Sequence, residues 1–248
     1  MANYAITDLH GMWNLWEQVK NYCKSDDVIY FLGDAADRGR DGIKIIKDLL
    51  NDKRVVYLKG NHEDMFVTVG QEILDGHFEQ LSWWIANGGH PTFTEFQTLP
   101  IQEQEWLIKK LNSLPDHKCI KNTKEQNIFL SHAGTALDYN MAEFVLIKGG
   151  NPYLWDRRHF WKDWPQSESY SNWYIVHGHT PCQHLIKELN QINMLEEKAL
   201  ITNLNLEIIE YANGHKFDLD LASFLSNKIA LFNLDELKVE KYFFTEEK

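Results

Sequence analysis

Five short apolar runs, each followed closely by a side chain that can bind a metal ion, constrain the fold more than any other feature of this chain. The side chains that follow the runs are Asp8, Asp34, Asn61, His132 and His179. Stretches with apolar residues at helical spacing, over residues 12–22 and 43–50, separate the first three runs. Short β-rich runs that alternate with helical patterns are typical of βαβ units. The sequence therefore predicts an α/β fold with a largely parallel sheet in its first half.

The ends of the apolar runs also predict a metal site. Ligands of open α/β sheets bind in the crevice beyond the carboxyl ends of the strands, so we expect the five side chains and His10 to converge there. Imidazole, carboxylate and amide ligands together suit Mn²⁺, Fe²⁺ or Zn²⁺. A pair of ions needs a bridging carboxylate, which either Asp8 or Asp34 could supply. Two such ions would outweigh two carboxylates, attract a phosphate and lower the pKa of bound water, which predicts a hydrolase.

The charge balance argues against a polyanionic partner. The 248 residues include 36 acidic and 25 basic side chains, a net charge of −11. Proteins that hold nucleic acid by electrostatics need a basic face, so we expect no nucleic-acid footprint. Three cysteines without Cys-x-x-Cys spacing predict neither a disulfide framework nor a zinc site. With no signal sequence and no long apolar segment, we expect a cytoplasmic protein without a membrane partner.

The organisation of the chain predicts a single domain over residues 1–248, because no repeat and no Pro- or Ser-rich linker divides it. Residues 77–112 have a helical pattern with breaks and predict a helical cap beside the sheet. The patterns at 216–221 and 228–232 predict an antiparallel hairpin that closes a second sheet. Within residues 183–214 the apolar spacing is partly that of a helix and partly that of a strand.

Five motifs occur in order along the chain. They are Asp8-x-His10-Gly11, Gly33-Asp34-x-x-Asp37-Arg38-Gly39, Gly60-Asn61-His62-Glu63, His132-Ala133-Gly134 and Gly178-His179-Thr180-Pro181. Together they resemble the motifs of the calcineurin-like metallophosphoesterase superfamily. The second and third motifs are similar to those of the bacterial and phage (lambda phosphatase-like) branch of the protein serine/threonine phosphatases. So are Trp84-x-x-Asn87-Gly88-Gly89 and Trp155-x-Arg157. The resemblance implies two facing mixed β-sheets flanked by helices, with an insertion over about residues 183–214 that does not align with the family.

The resemblance also implies two divalent metal ions and a ligand set for them. Mn²⁺ is the expected ion, with Fe or Zn as alternatives. Asp34 would bridge the two ions. The other ligands would be Asp8 and His10 for the first ion, and Asn61, His132 and His179 for the second.

Four further motif residues have roles in the family that carry over to this chain. His62 would protonate the leaving alkoxide, and Asp37 would orient His62. Arg38 and Arg157 would bind the free oxygens of the phosphate, a task that suits the planar guanidinium group. Because Arg158 follows directly after Arg157, the sequence leaves open which of these two reaches the phosphate.

These features predict a two-metal phosphomonoesterase that acts on phosphoserine, phosphothreonine or small phosphate esters by attack of a metal-bridging hydroxide. Its partner would be a phosphorylated protein or a small phosphate ester. One alternative is a symmetrical diadenosine tetraphosphate hydrolase, against which Asp37 argues, because that branch usually lacks Asp before the Arg-Gly pair. A second alternative is a non-catalytic metal-binding interaction module, which retention of all six ligands and of His62 disfavours.

Side chains outside the motifs have structural interpretations. We expect His177 to be a packed strand histidine and Cys182 to be an inert small residue. The tryptophans of the segment 153–173 are expected to pack beneath an irregular lobe beside the site. Three further histidines show no motif spacing, and we expect surface positions for them; they are His159, His184 and His215.

Overall fold

Ten β-strands in the described parts of the chain form two mixed sheets of five strands each. The computed structural model describes residues 1–134, 151–161, 164, 168–190 and 207–245. The strands are β1 (Asn3–Ile6), β2 (Val28–Phe31), β3 (Val55–Tyr57), β4 (His117–Lys121), β5 (Asn127–Ser131), β6 (Trp173–His177), β7 (Ile209–Tyr211), β8 (Lys216–Asp218), β9 (Lys228–Asn233) and β10 (Lys238–Phe244). The strand order is β10-β9-β1-β2-β3 in the first sheet and β4-β5-β6-β8-β7 in the second.

Each sheet has a parallel centre. Strands β1, β2 and β3 run parallel in the first sheet, and β5, β6 and β8 run parallel in the second. Antiparallel pairs join β9 to β1 and to β10, β4 to β5, and β7 to β8. The predicted fold class, two mixed sheets flanked by helices, is confirmed.

The helices follow the amphipathic stretches of the sequence. They are α1 (Trp13–Tyr22), α2 (Gly42–Asn51), α3 (Asn61–Leu74), α4 (Leu81–Trp84), α5 (His90–Thr98), α6 (Ile101–Asn112), α7 (Pro152–Trp155), α8 (Cys182–Asn190) and α9 (Ser223–Ser226). A π-helical turn, Ile85–Gly89, joins α4 to α5, and 3-10 turns cover Arg158–Trp161 and Glu168–Tyr170. The region 77–112 is therefore helical with breaks, as its pattern predicts.

Two apolar layers hold the sheets in place. Between the sheets, Ala5 and Leu58 from the first pack with Ile128 and Val176 from the second. On the other face of the first sheet, Ile6 packs with the buried faces of the helices. Neighbouring residues of β1 serve different layers because successive side chains of a strand point to opposite faces. Both faces of the first sheet are thus covered, which fixes the strand ends that carry the site.

The hairpin predicted from residues 216–221 and 228–232 is wrong. Strand β8 pairs parallel with β6 in the second sheet, whereas β9 pairs antiparallel with β1 in the first. Phe217 and Phe232 do meet, with ring centroids 4.9 Å apart, but across the layer between the sheets. Two apolar strands that are close in sequence can face each other across a core, and their patterning is then the same as that of paired strands.

The predicted insertion over residues 183–214 is described at its two ends only. Helix α8 covers its start and β7 lies near its end, while residues 191–206 lie outside the described part. The single domain over 1–248 and the character of this insertion remain predictions. Among the described residues, no helix has the length and apolar character needed to cross a bilayer.

Candidate metal centre

The structure brings all six predicted metal ligands together beyond the carboxyl ends of the strands. Asp8, Asp34 and Asn61 follow β1, β2 and β3, whereas His132 and His179 follow β5 and β6. All are buried, as is His10. Both sheets therefore contribute to one cluster, as the carboxyl ends of parallel strands predict.

One part of the cluster contains Asp8, His10 and Asp34. The Nε2 atom of His10 lies 3.8 Å from Oδ1 of Asp8 and 3.6 Å from Oδ2 of Asp34. His62 also approaches, with its Nε2 atom 3.7 Å from the same Oδ2 of Asp34. Nε2 of His10 thus lies within 4 Å of a carboxylate oxygen of both Asp8 and Asp34.

The other part contains Asn61, His132 and His179. The Oδ1 atom of Asn61 lies 2.8 Å from Nε2 of His132 and 3.0 Å from Nδ1 of His179. The same Nε2 atom of His132 lies 3.3 Å from Oδ1 of Asp34. This set of one amide oxygen, two imidazole nitrogens and one carboxylate oxygen suits a borderline divalent ion.

Asp34 is the carboxylate that belongs to both parts. Its Oδ2 faces His10 and its Oδ1 faces His132. It is also common to the two groups whose ligand atoms all lie within 4.8 Å of one another: His10, Asp34 and His62, and Asp8, Asp34 and His132. Of the two carboxylates that the residue pattern left open as a bridge, Asp34 has this two-sided position.

Backbone carbonyls fix the orientation of two of the imidazoles. The Nδ1 atom of His10 lies 3.0 Å from the carbonyl oxygen of Ala36, and Nδ1 of His132 lies 2.8 Å from that of Leu32. When Nδ1–H donates to these carbonyls, the lone pair of Nε2 faces the cluster. Both rings are therefore oriented as metal ligands require.

Asp8 is held by donors on one of its oxygens. Oδ2 of Asp8 accepts hydrogen bonds from Thr7 Oγ1 at 2.6 Å and from the backbone N–H of His179 at 3.1 Å. Gly178 allows this approach, because a Cβ atom there would lie 2.2 Å from Oδ2 of Asp8. The other oxygen, Oδ1, is left to face His10.

The predicted acid His62 and its partner Asp37 are in direct contact. Nδ1 of His62 lies 2.7 Å from Oδ2 of Asp37, and both residues are buried. The same Oδ2 accepts a hydrogen bond of 2.8 Å from Nε1 of Trp84. Sequence reasoning quoted Trp84 as part of a motif and assigned it no role; its contact with Asp37 shows that it positions the pair.

The two predicted phosphate ligands lie on different sides of the cluster. Nη1 of Arg38 contacts Nε2 of His10, and its Nη2 lies 3.2 Å from Nε2 of His62. Nε of Arg157 donates to Oγ1 of Thr180 at 3.1 Å, directly after His179.

The arginine that follows Arg157 has a different neighbour. Nε of Arg158 donates to its sequence neighbour Asp156 at 2.6 Å, and half of the Arg158 side chain is exposed. The contact with the fifth motif therefore favours Arg157 for the phosphate.

Glu63 is a functional residue that sequence reasoning missed. One of its carboxylate oxygens accepts hydrogen bonds from the backbone N–H groups of Asp34 and Gly60, both at 2.8 Å. The other accepts from the N–H of Ala35 at 2.8 Å and from the hydroxyl of Tyr57 at 2.9 Å. Glu63 thus ties the ends of β2 and β3 together. The spacing of Gly60 to Glu63, which is that of a helix capping box, is the signal that could have found it.

The backbone is strained at the site. Among the described residues, twelve that are not glycine have positive φ, and six of them are predicted site residues. These are Asp8 (53°), His10 (44°), Asp34 (64°), Asp37 (70°), Arg38 (65°) and His179 (72°). Left-handed backbone is unfavourable for such residues and is found preferentially at functional sites.

The charges of the cluster are strongly coupled. Burial raises the pKa of Asp8 to about 6. Burial opposes ionisation of Asp34 as well, but His132 and His62 hold its pKa well below the usual range. Burial also disfavours the charged form of His132, yet Asp34 and Asp8 raise its pKa to about 9. Protons thus compensate buried charge here, a function that bound cations would take over.

Two histidines form a buried network behind the site. Nε2 of His177 lies 2.7 Å from the hydroxyl of Tyr211, which in turn lies 3.0 Å from Nδ1 of His159. The packed position of His177 agrees with expectation. The surface position expected for His159 is wrong, because the residue is fully buried. Its partner Tyr211 is distant in sequence, so no local pattern marked it.

The remaining expectations outside the motifs have mixed outcomes. His215 is half-buried and stacks on the buried Trp164, with ring centroids 4.5 Å apart. His184 is half-buried too, so neither of these two histidines is in the core and neither is fully exposed. Cys182 is fully buried, and burial raises the pKa of its thiol well above the usual range, which is typical of an inert cysteine.

Comparison with known proteins identifies a family. The family model described as calcineurin-like phosphoesterase matches residues 4–218. The chain is 28% identical over 207 residues to the asymmetrical bis(5'-nucleosyl)-tetraphosphatase PrpE of Oceanobacillus iheyensis, covering 71% of this chain and 76% of that protein. It is 27% identical over 154 residues to the symmetrical bis(5'-nucleosyl)-tetraphosphatase of Buchnera aphidicola, covering 60% of this chain and half of that protein.

A solved structure shares the fold. The protein serine/threonine phosphatase from Saccharomyces cerevisiae with similarity to human phosphatase PP5 superposes with a TM-score of 0.57 at 14% identity. The superposition covers 100% of this chain and 81% of the yeast chain.

Proposed function

The chain belongs to the calcineurin-like phosphoesterase family, and from that premise we propose that it is a two-metal phosphomonoesterase. The substrates are phosphoserine, phosphothreonine or small phosphate esters. The contact between His62 and Asp37 carries this proposal, because a buried, oriented imidazole beside Asp34 is suited to protonate a poor leaving group.

The donor set fits a pair of divalent ions. Asp8, His10 and Asp34 would hold one ion, and Asn61, His132 and His179 together with Asp34 would hold the other. When bound, such a pair supplies Lewis acidity and a water of lowered pKa. Mn²⁺ is the ion that we propose, with Fe or Zn as alternatives.

The protein side chains orient the phosphate and handle the proton. Arg38 lies between His10 and His62, where its guanidinium can bind a phosphate oxygen. Arg157 approaches from the Thr180 side. Asp37 accepts the Nδ1–H of His62, so that Nε2 is the atom that gives its proton to the leaving oxygen.

The test is turnover of p-nitrophenyl phosphate and of a phosphoserine peptide by the Mn²⁺-loaded protein. We expect Asp34→Asn to lose most activity on both substrates, about a hundredfold or more. His62→Asn should lose about 100-fold or more on the peptide, where the leaving alkoxide needs a proton. Matched controls are Asp75→Asn and His77→Asn, at positions that follow the C-terminal end of α3. Near-normal rates in both site variants would contradict the proposal, and metal binding without turnover in the wild type would favour a non-catalytic module.

Dinucleoside tetraphosphate hydrolysis is a second candidate, favoured by the two tetraphosphatases at 27% and 28% identity. The same ligands and arginines would serve an anhydride, whose leaving group is a better one and depends less on His62. Product analysis with diadenosine tetraphosphate separates the possibilities. Two ADP molecules indicate symmetrical cleavage, ATP with AMP indicates asymmetrical cleavage, and no cleavage beside rapid phosphopeptide turnover rejects this candidate.

A further inference from the structure

Three rings contact the guanidinium group of Arg38 within the described part of the chain. Its Nη1 and Nη2 atoms approach Nε2 of His10 and Nε2 of His62, and its Cζ atom lies over the ring of Phe224, 5.1 Å from the ring centroid. A guanidinium group within about 6 Å of an aromatic centroid is attracted by the face of the ring. Sequence reasoning assigned no role to Phe224, which lies outside the five motifs.

The two imidazoles have other roles in the proposed mechanism. Nε2 of His10 is a predicted metal ligand atom, and Nε2 of His62 is the atom that gives its proton to the leaving oxygen. A nitrogen that binds an ion or carries a proton does not accept a hydrogen bond from Arg38. Because Phe224 has neither role, its contact with the guanidinium group is compatible with a loaded site.

The ring face of Phe224 attracts Arg38 without using its hydrogen-bond donors. The attraction is between the positive charge and the electron-rich face of the ring. A carboxylate partner would instead accept the N–H groups in the bidentate geometry that a phosphate also uses. Contact with Phe224 therefore holds the guanidinium group in place and keeps its N–H groups available for phosphate oxygens.

The position of Phe224 is itself fixed. Oγ of the preceding residue, Ser223, donates to the backbone carbonyl of Asp8 and lies 3.1 Å from that of Leu9. Phe224 is half-buried in α9, and its ring meets that of His10 edge to face, with centroids 6.1 Å apart. Helix α9 is thus tied to the segment that follows β1, beside the first group of metal ligands.

The backbone and stem of Arg38 are confined from the side of the cap. The N–H of Arg38 donates to the carbonyl of Gly88 at 2.8 Å, and a Cβ atom at Gly88 would lie 2.7 Å from Cγ of Arg38. Gly88 has a φ of 98°, which side chains other than glycine rarely adopt. The cap therefore fixes where the Arg38 side chain begins, and α9 contacts the charged group at its end.

We propose that Phe224 is a positioning residue of the phosphate site, whose ring face holds the guanidinium group of Arg38 in the orientation that binds phosphate. This inference rests on the proposed phosphoesterase function and adds a residue of α9 to its site. Phe224 acts through Arg38 and does not itself bind the substrate. Loss of the ring should therefore weaken phosphate binding and leave the metal ligands unchanged.

The inhibition constant of inorganic phosphate against p-nitrophenyl phosphate turnover tests this role. In Phe224→Leu and Phe224→Met, which keep apolar bulk without a ring, we expect this constant to rise about fivefold, the effect of one partly desolvated cation–π contact. Phe224→Tyr keeps the ring and should stay within about twofold of the wild type. Phe244→Leu on β10 is the matched control, because Phe244 also lies near a cation, with its ring centroid 5.2 Å from Nζ of Lys228.

Two further measurements separate positioning from packing. In the Arg38→Met background, where the cation is absent, Phe224→Leu should have no further effect on phosphate affinity. Calorimetric titration should give equal Mn²⁺ affinities for Phe224→Leu and the wild type, because the ring supplies no metal ligand. Thermal melting shows that the variants are folded.

Four results would overturn the proposal. They are an unchanged inhibition constant in both ring-free variants, an equal loss in Phe224→Tyr, the same loss in the Arg38→Met background, and a fall in Mn²⁺ affinity that matches the fall in phosphate affinity. The last result would show that Phe224 acts through His10.

Failure of the proposed function has a different signature. If the Mn²⁺-loaded wild type does not turn over p-nitrophenyl phosphate, the phosphoesterase proposal fails on that result alone. Calorimetric titration of inorganic phosphate into the same proteins then still measures the role of Phe224. Weaker phosphate binding in the ring-free variants alone supports that role, and equal binding in all variants rejects it.

Discussion

One oxygen of Asp37 accepts hydrogen bonds from two partners, and this predicts a role for Trp84 in catalysis. Trp84→Phe keeps an aromatic ring against Phe66 but removes the indole N–H that lies 2.8 Å from Asp37. With Asp37 less firmly held, His62 should be a poorer acid. We expect kcat to fall about tenfold for an alkyl phosphate and much less for p-nitrophenyl phosphate, whose leaving group needs no proton.

Steady-state kinetics on the two esters measure the effect, and Trp106→Phe on α6 is the control. Equal losses on both esters would show that Trp84 acts only through packing. The leaving-group dependence is therefore the informative readout.

Glu63 should matter for both stability and metal affinity. In Glu63→Gln, an amide replaces a buried carboxylate that accepts four hydrogen bonds from three backbone N–H groups and a hydroxyl. The amide nitrogen would then face donors, so we expect a loss of about 1–3 kcal/mol in the free energy of unfolding. Urea denaturation measures this loss, with the exposed Glu105→Gln as control; a change no larger than that of the control would contradict the assigned role.

At the residue scale, the sequence predicted the members of the cluster but not their supports. Asp34, His132 and the other motif residues follow apolar runs, and this placement is visible in the sequence. The roles of Trp84 and Glu63 depend on which backbone groups approach them. The positions of these backbone groups depend on left-handed turns at the strand ends. The pattern of residue types along the sequence does not predict such turns.

Gly178 follows the end of β6, and we expect a methyl group at this position to weaken metal binding. In Gly178→Ala, the new Cβ would lie 2.2 Å from Asp8 Oδ2 and 2.5 Å from Thr7 Oγ1, so Asp8 must move. We expect Mn²⁺ affinity to fall about tenfold or more, since support of a metal ligand is worth that much. Gly70→Ala is the control, because its Cβ would meet the side chain of Ile108 at 3.2 Å and that of Phe66 at 3.5 Å and would touch no predicted metal ligand. Equal Mn²⁺ affinities of the two variants in calorimetric titration would refute the argument.

Asp235 connects the two sheets, and its ionisation should make the free energy of unfolding fall at acid pH. It accepts hydrogen bonds from the N–H of Asn3 in β1 at 2.9 Å and from the N–H of Thr123, between β4 and β5, at 3.0 Å. Although burial opposes ionisation, these donors hold the pKa of Asp235 below the usual range. A lowered folded-state pKa means that the stabilisation is present above the unfolded value, about 4, and is lost as the pH falls through the folded value.

Asp235→Asn should therefore be less stable at pH 7 by about 1–3 kcal/mol and should lose less further stability on acidification than the wild type. Chemical denaturation at several pH values between 7 and 3 measures both effects, with Asp75→Asn as control. Identical pH profiles of Asp235→Asn and the wild type would contradict the prediction.

At the scale of elements, helices and strands were predictable, but strand pairing was less so. The alternation of β-rich and amphipathic stretches identified α1, α2 and α3 and the strands before them. The pairing of β8 and β9 was mispredicted, because apolar patterning shows that a strand is buried and does not show which sheet buries it.

The whole molecule should be stabilised by its metal ions. The ligands follow strands of both sheets, so bound ions would join the sheets at their carboxyl ends. If an ion binds only the folded state and its free concentration is one hundred times its Kd, it adds about 2.7 kcal/mol to the free energy of unfolding. For a chain of this size we expect Mn²⁺ to raise the melting temperature by about 5–10 °C relative to chelated protein. Asp34→Asn is the metal-deficient reference, in which Mn²⁺ should leave the melting temperature unchanged. Equal melting temperatures of the Mn²⁺-loaded and the chelated wild type would reject the metal centre.

The hydrogen bond from His179 to Asp8 joins residues 171 positions apart. While the ribosome is still producing the middle of the chain, Asp8, Asp34 and Asn61 have emerged without the histidines of the second sheet. Contacts of such long sequence separation form late and slow folding. Because His132 and His179 belong to the predicted ligand set, that set is complete only after synthesis has passed His179.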